Sequence, residues 1–120
     1  KEVSQLKRDG VQLHFVGARD TLSDRVKNGF ENAEASTADN TTLVLNVCFN
    51  YGGRWDVVQA AQRLAQAGLP ITEDSVSGVM ALAHCPDPDL IIRTGGESRL
   101  SNFLLWQAAY SELHFSDVVA

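Results

Sequence analysis

The chain has 120 residues, of which 44% are hydrophobic and 21% are charged, and its formal net charge is −5. We expect one globular domain over residues 1–120 from this length and balance. The acidic balance argues against nucleic-acid binding, which needs a basic face. No apolar run reaches the roughly 18 residues of a membrane-spanning helix. Neither of the two cysteines lies in a Cys-x-x-Cys pattern, which argues against structural zinc and is typical of reduced thiols in a cytoplasmic protein.

The first half of the chain predicts two helices and two strands in alternation. Residues 1–9 are polar and end at a glycine, which predicts the last turns of a helix. Residues 11–16 alternate and are rich in β-forming residues, so they predict a strand. A helix is predicted from Thr21 to about Ala35, and Asp24 is a weak capping-box partner for Thr21. Residues 41–49 are almost continuously apolar, which predicts a parallel strand buried on both faces.

The second half continues the alternation of helices and strands. This order predicts an α/β fold in which a parallel sheet is flanked by helices. Glycine and proline residues mark the ends of the helical segments. The predicted elements are a helix from Trp55 to the stop at Gly68, a shorter helix over 72–82, a strand over 89–93, a helix that Ser101 caps, and a short strand over 112–115.

A candidate anion site follows the strand over 89–93. Ligands of open α/β sheets bind beyond the carboxyl ends of the strands. There Arg93 ends the strand, Gly95 and Gly96 allow close backbone approach, and Arg99 precedes the helix start at Ser101. Two guanidinium groups, a hydroxyl and backbone amides suit a phosphate group.

The residues alone leave other interpretations of this loop open. A Gly-Gly turn is often only structural, Arg93 could pair with Glu97, and Arg99 could be solvated. The loop matches neither a Walker P-loop nor the Gly-x-Gly-x-x-Gly of dinucleotide folds. Glu112, past the predicted helix, could be a surface charge or a Mg²⁺ ligand that shares the ion with phosphate oxygens and water.

Two long blocks carry a family resemblance. The first is DLIIRTGGESRLSNFLLWQ over residues 89–107, followed by Tyr110 and Glu112. The second is Asn46 followed by NYGGRWD over residues 50–56. Both blocks resemble the cis-prenyltransferases, whose bacterial members are the undecaprenyl diphosphate synthases. The resemblance extends through nearly all of the chain. It implies an undecaprenyl diphosphate synthase-like fold, of which this chain is a C-terminal portion.

The resemblance also implies an activity. The family condenses isopentenyl diphosphate with an allylic diphosphate, usually farnesyl diphosphate, to make cis-polyprenyl diphosphates such as undecaprenyl diphosphate, the lipid carrier for cell-wall sugars. It implies Mg²⁺ as cofactor, a homodimer, a cytoplasmic location and no nucleic-acid partner. Peripheral contact with a membrane is consistent with a lipid product.

Residue by residue, the resemblance places the isopentenyl diphosphate at the loop after residue 93. It implies that Glu112 is a Mg²⁺ ligand. It gives no clear role to the second block. We expect that the residues of this block order the loops around the pocket. The substrate-binding residues are Arg93, Gly95, Gly96, Arg99, Leu100 and Ser101, and the supporting residues are Asn50 and Arg54.

The chain also departs from the family pattern. It lacks the N-terminal Asp-Gly-Asn-Gly-Arg-Trp loop, whose aspartate binds Mg²⁺ and which grips the allylic diphosphate, and the Ser-x-Glu-Asn-Trp block. Ala18 stands where a Gly-Asp pair is common, and the chain stops before the usual Trp-Pro-Asp and the later arginine-containing tail. We therefore expect no catalytic residue in this chain and no prenyl elongation by these 120 residues alone.

Two rival functions remain open. The first is a noncatalytic binding subunit of a heteromeric prenyltransferase, although such subunits tend to lose the Arg-Thr-Gly-Gly-Glu run that is intact here. The second is an unrelated phosphate-binding α/β protein, such as a nucleotide binder.

Overall fold

The computed structural model describes residues 2–119, which form two compact units. The first unit ends at Tyr51 and the second begins at Gly52. Each contains helices and a pair of parallel strands, so the predicted α/β class is confirmed. The single domain over residues 1–120 stays a prediction. In the described part of the chain, no helix is long and apolar enough to cross a bilayer.

The first unit contains two helices and a parallel strand pair. Its elements are α1 (Glu2–Arg8), β1 (Val11–Val16), α2 (Asp24–Ser36) and β2 (Leu43–Cys48). β1 pairs in parallel with β2, from Val11 opposite Leu43 to Val16 opposite Cys48. The predicted strand over 11–16 and the helix that ends before Gly10 are confirmed.

Side chains from α2 and its cap complete the hydrogen bonding of β1. Thr37, which is fully buried, accepts a hydrogen bond from the Leu13 amide at 3.0 Å. Glu34 accepts from the Phe15 amide at 2.9 Å and pairs with Arg19 at 3.0 Å. Because these amides find partners in side chains, the strand does not need another strand to satisfy them.

Two predictions for the first unit are wrong in detail. Helix α2 begins at Asp24 rather than Thr21, because Ser23 is the N-cap and accepts from the Val26 amide. The strand near 41–49 exists, but it is not buried on both faces, since Leu43 and Val47 are 58% and 38% exposed. Residues 41–49 have the composition of a strand that is buried on both faces. The described residues nevertheless leave apolar side chains of β2 exposed to solvent.

The second unit contains two helices and a second parallel strand pair. Its elements are α3 (Gly53–Gln66), α4 (Glu73–Val79), β3 (Leu90–Arg93) and β4 (Glu112–Phe115). The helices pack through Ala60 and Leu64 of α3 against Val76 and Met80, so apolar residues at helical spacing bury one face. β3 pairs in parallel with β4, as the two predicted strands allow.

Two helix predictions in this unit need correction. Helix α4 begins after its N-cap Thr72, close to the predicted start, but ends at Val79 rather than near 82. The helix predicted from Ser101 does not form, and Ser101 is not an N-cap. Ser101, Asn102 and Leu104 have φ angles of 53°, 60° and 48°, in the left-handed region that an α-helix of L-residues does not use.

Candidate anion-binding site

Arg93, the last residue of β3, reaches the loop that follows it. Its Nη1 donates to the Arg99 carbonyl oxygen at 2.6 Å and to Ser101 Oγ at 2.5 Å. Both acceptors are uncharged, so these bonds orient the guanidinium group without neutralising its charge. Three residues that the sequence predicted as one site are therefore in direct contact.

These residues share a cavity of about 250 Å³ that lies within the second unit. The cavity combines two arginines and a hydroxyl with a predominantly apolar wall. It is lined by Ile91, Ile92, Arg93, Arg99, Leu100, Ser101, Phe103 and Phe115. The arrangement can hold a small anion that carries an apolar group, because cation and hydrocarbon contacts lie side by side.

The charge balance of the cavity is positive. Arg99 forms an ion pair with Glu97, and both side chains are largely exposed to solvent. The alternative in which Glu97 pairs with Arg93 is not the arrangement observed, since Arg93 contacts Arg99 and Ser101. Two guanidinium groups against one carboxylate leave a net charge of about +1 to attract an anion.

Gly95 and Gly96 shape the turn through their backbone angles. Their φ values are 87° and 81°, which glycine adopts without steric cost. Their amides donate to the carbonyl oxygens of Val118 and Ser116 at 2.8 and 2.9 Å. These amides are already engaged within the protein, and close approach of a ligand to the two glycines stays a prediction.

Backbone in sparsely populated conformations is concentrated beside the cavity. Ser101, Asn102 and Leu104 all have positive φ, and left-handed backbone at non-glycine residues costs roughly 1–2 kcal/mol per residue. Such conformations persist only where the surrounding contacts hold them, and they are frequent at functional sites. The predicted helix dipole is absent here, so any attraction for anions comes from the arginines.

The first turn of α3 supplies the contacts that hold this segment. Asn102 Oδ1 accepts from the Arg54 amide at 2.9 Å, and the Asn102 carbonyl accepts from the Gly53 amide at 2.6 Å. Asn102 thereby caps α3, whose own N-cap, Gly52, has no side chain to do so. The sequence did not predict Asn102 as a site residue. Asn102 caps a helix that lies 48 positions away along the chain, and no local pattern reveals such a contact.

A buried carboxylate fixes the far end of the same segment. Asp56 is 0% exposed, and its Oδ2 accepts from Gln107 Nε2 at 3.0 Å. Its Oδ1 accepts from the Ala81 amide at 2.8 Å and from Gln59 Nε2 at 3.0 Å. The sequence pattern gave no signal for this role, since an Asp in the first turn of a helix is usually solvated.

The two predicted supporting residues lie in different units. Arg54 contributes its backbone amide to the Asn102 cap, which agrees with a role in ordering the loop. Asn50 ends the first unit with φ 44°, and its side-chain amide donates to the Ala18 carbonyl oxygen at 3.4 Å. It orders the turns that follow β1 and β2.

Glu112 lies away from the arginine cavity. It pairs with Leu90 at the amino end of the strands, whereas Arg93 pairs with Phe115 at the carboxyl end. Three residues of strand correspond to about 10 Å, and an odd separation puts the two side chains on opposite faces. Among residues 2–119, no group of three or more His, Cys, Asp or Glu side chains is arranged to hold a metal ion. A Mg²⁺ ion that shares phosphate oxygens and water needs only one or two carboxylates, so the role of Glu112 as a Mg²⁺ ligand stays a prediction.

A family model described as "Putative undecaprenyl diphosphate synthase" matches residues 1–119. The chain belongs to the undecaprenyl diphosphate synthase family. An isoprenyl transferase of Neisseria meningitidis is 48% identical over 120 residues, which are 99% of this chain and 48% of that protein. A farnesyl-diphosphate-specific undecaprenyl diphosphate synthase of Pseudomonas aeruginosa is 46% identical over 98% of this chain and 50% of that protein. The chain thus spans about half the length of these relatives.

Two solved structures have a similar fold over nearly all of this chain. A probable undecaprenyl diphosphate synthase of Campylobacter jejuni matches with a TM-score of 0.92 and 32% identity, over 98% of this chain and 55% of that one. Lavandulyl diphosphate synthase of Lavandula x intermedia, solved with dimethylallyl diphosphate, matches with a TM-score of 0.88 and 30% identity, over 96% of this chain and 53% of that one. These matches confirm the family-type α/β fold predicted from the sequence.

The turn at Gly95 gives a direct test of the loop geometry. A Cβ at Gly95 would meet no heavy atom within 4 Å, so Gly95→Ala probes only the backbone angle. We expect it to destabilise the second unit by about 1–2 kcal/mol. Gly78→Ala, in helix α4 and equally unobstructed, should instead stabilise by about 0.5–1 kcal/mol. Urea unfolding followed by the fluorescence of Trp55 and Trp106 measures both, and equal effects of the two substitutions would contradict the assigned φ at Gly95.

Proposed function

We propose that the complete protein that carries this chain is a cis-prenyltransferase. It condenses isopentenyl diphosphate with an allylic diphosphate, farnesyl diphosphate in the first cycle, and makes a cis-polyprenyl diphosphate such as undecaprenyl diphosphate. This chain supplies the isopentenyl diphosphate site. The observation that carries the proposal is the cavity in which Arg93, Arg99 and Ser101 meet, within a chain that matches the family over residues 1–119.

The cavity has the right chemistry for the isopentenyl substrate. A diphosphate carries up to three negative charges, and two guanidinium groups can each offer paired N–H donors to it. The apolar wall formed by Ile91, Phe103 and Phe115 suits the five-carbon isopentenyl group. Holding the diphosphate fixes the direction of the alkene, and such positioning lowers the entropic part of the barrier.

Binding of the diphosphate requires no change at Arg93. Only Nη1 donates within the protein, to Arg99 and Ser101, so the N–H groups on Nε and Nη2 are left for diphosphate oxygens. The Ser101 hydroxyl accepts from Arg93 and can at the same time donate to a diphosphate oxygen. Arg99 is more than half exposed and can turn from Glu97 towards the anion at little cost.

The reaction needs a further positive charge where the allylic diphosphate departs. Mg²⁺, when bound, stabilises the charge of that leaving group. This chain lacks the Asp-Gly-Asn-Gly-Arg-Trp loop, and its described residues form no group of three or more carboxylate, His or Cys ligands. We therefore propose that the site of the allylic diphosphate and the Mg²⁺ ligands other than Glu112 come from outside the 120 residues. The protein is proposed to act in the cytoplasm, with peripheral membrane contact where the lipid product leaves.

We further propose that the enzyme is a homodimer in which Glu112 serves the site of the other copy. Glu112 and Arg93 lie at opposite ends and on opposite faces of the strand pair, which favours a contact of Glu112 with the site of a second copy over one with the diphosphate on Arg93 of its own chain. Leu90, opposite Glu112 and on the same face, is 52% exposed and gives a second copy an apolar side chain to cover.

A noncatalytic subunit of a heteromeric enzyme remains the second candidate. The intact Arg-Thr-Gly-Gly-Glu run, with its arginine already oriented, favours a substrate-binding role over it. Chain growth from farnesyl and isopentenyl diphosphates by the purified complete protein, without any other subunit, supports the catalytic role. If growth requires a second gene product, the noncatalytic role is correct.

Loss of either arginine should weaken the hold on the isopentenyl diphosphate. In the complete protein we expect Arg93→Ala and Arg99→Ala each to raise the isopentenyl KM by about 10- to 100-fold, as a hydrogen bond to a charged group is worth about 1.5–3 kcal/mol. The KM for farnesyl diphosphate should change much less. Arg63→Ala removes an exposed arginine of α3 that does not line the cavity and serves as the control. Unchanged kinetics in both cavity variants would show that the site is misassigned.

Mixed dimers test whether Glu112 acts across the interface. Arg93→Ala and Glu112→Gln proteins are unfolded together and refolded as a mixture, which is assayed at isopentenyl diphosphate below the wild-type KM, where the higher KM leaves Arg93→Ala with about one-tenth of the wild-type activity or less. If the two residues come from different copies, each mixed dimer contains one intact site, so the mixture should regain about one quarter of the wild-type activity. If both residues come from one copy, every site carries a substitution and no activity returns.

A further inference from the structure

The loop over residues 101–105 packs closely against the first turn of helix α3. A Cβ atom added at Gly53 would lie 2.7 Å from Leu105 Cγ and 3.1 Å from the Leu105 backbone nitrogen. A Cβ atom added at Gly52 would lie 2.9 Å from Asn102 Nδ2. Carbon atoms pack at about 3.5–4.0 Å, so a side chain at Gly53 would push the loop away from the helix.

The backbone conformation does not require glycine at these two positions. Gly53 lies in the first turn of α3, where alanine is a better helix former than glycine. Gly52 has φ −139° and ψ 138°, an extended conformation that any residue adopts. The close approach of the loop is therefore the physical reason for glycine here.

Asn102 ties the loop to the same turn of the helix. Its carbonyl oxygen accepts a hydrogen bond from the Gly53 amide at 2.6 Å, and its Oδ1 accepts from the Arg54 amide at 2.9 Å. Asn102 does not line the arginine cavity, although Ser101 and Phe103 on either side of it do. An effect of Asn102 on a ligand in the cavity must therefore act through its neighbours.

Ser101 connects this loop to Arg93. It directly precedes Asn102, and both residues have left-handed backbone, with φ 53° and 60°. Such conformations persist only where surrounding contacts hold them, and α3 supplies those contacts. Ser101 Oγ and the Arg99 carbonyl oxygen accept from Arg93 Nη1 at 2.5 and 2.6 Å. The orientation of the Arg93 guanidinium group thus depends on where α3 holds the loop.

We propose that Gly53 and Asn102 are positioning residues for the isopentenyl diphosphate. They hold Ser101 where it orients Arg93, so both groups are arranged for the diphosphate before it binds, and neither positioning residue touches the ligand. This inference rests on the proposed function of the arginine cavity. It gives the second sequence block, over residues 50–56, a specific role in substrate affinity.

Binding of isopentenyl diphosphate alone, without an allylic partner, measures this role apart from the reaction. In the complete protein, calorimetric titration should give a Kd about tenfold higher for Gly53→Ala, because the added methyl group displaces Ser101 from Arg93 and weakens bonds to a charged group. Gly78→Ala, in α4 with no heavy atom within 4 Å of the added Cβ, is the matched control and should leave the Kd unchanged. A role in helix stability alone predicts no loss of affinity in Gly53→Ala, since alanine favours the helix.

Removal of the Asn102 side chain tests the same role without added bulk. Asn102→Gly keeps the left-handed backbone angle, loses the bond to the Arg54 amide, and should raise the Kd about fivefold. Thr72→Gly removes the side-chain cap of α4 and should leave the Kd unchanged. In a Ser101→Ala background, the effect of Asn102→Gly should become smaller, because the two residues act in series. An undiminished effect there would show that Asn102 does not act through Ser101.

Arg93→Ala separates failure of this inference from failure of the proposed function. If Arg93→Ala leaves the Kd unchanged, the cavity is not the isopentenyl diphosphate site, and the proposed function and the positioning role are both wrong. If Arg93→Ala weakens binding but Gly53→Ala and Asn102→Gly do not, only the positioning role is wrong. Equal weakening by the controls Gly78→Ala and Thr72→Gly would also contradict the positioning role, since it would show a general effect of stability.

Discussion

The buried carboxylate of Asp56 is the interaction on which the second unit depends. It is fully removed from solvent and accepts hydrogen bonds from three different parts of the chain, at Gln59, Ala81 and Gln107. A buried charge is costly unless hydrogen bonds surround it, so the segments that supply the donors have little freedom to move apart. Asp56 therefore fixes the chain after α4 and the segment that ends at Gln107 against helix α3.

This anchor explains how the arginine loop can adopt an unfavourable backbone. Asn102 caps α3, and Gln107 is hydrogen-bonded to Asp56 of the same helix. The chain from Asn102 to Gln107 is therefore held at both ends by α3. The left-handed residues Ser101, Asn102 and Leu104 lie at or next to the start of this stretch. Their conformation presents Ser101 Oγ to Arg93 and not to a helix amide. The two sequence blocks that carry the family resemblance, 50–56 and 89–107, thus meet physically at the edge of the anion cavity.

The strands and the location of the site could be predicted from the sequence, because both depend on local patterns. The alternation over 11–16 and the apolar run that ends at Arg93 each correspond to a strand. Arginines and glycines after a strand led to residues that share one cavity, and anion binding there stays a prediction. The helix at Ser101 could not be judged locally, because an N-cap residue followed by apolar residues is a genuine helix signal. Tertiary hydrogen bonds to α3 and Arg93 outweighed it.

Other features required knowledge of distant partners. Asn102 and Gln107 contact residues 48 and 51 positions away along the sequence, which no periodicity reveals. Burial of β2 was predicted from its composition, but burial depends on which elements cover a strand, and the described residues leave it partly exposed. The separation of Glu112 from the cavity followed only from the parallel register of β3 and β4.

The central claim is that Arg93, Arg99 and Ser101 hold the diphosphate of isopentenyl diphosphate. A crystal structure of the complete protein with a nonreactive isopentenyl diphosphate analogue tests it most directly. The account predicts diphosphate oxygens about 2.7–2.9 Å from guanidinium nitrogens of both arginines and within hydrogen-bond distance of Ser101 Oγ. A diphosphate bound elsewhere, in contact with neither arginine, would contradict it.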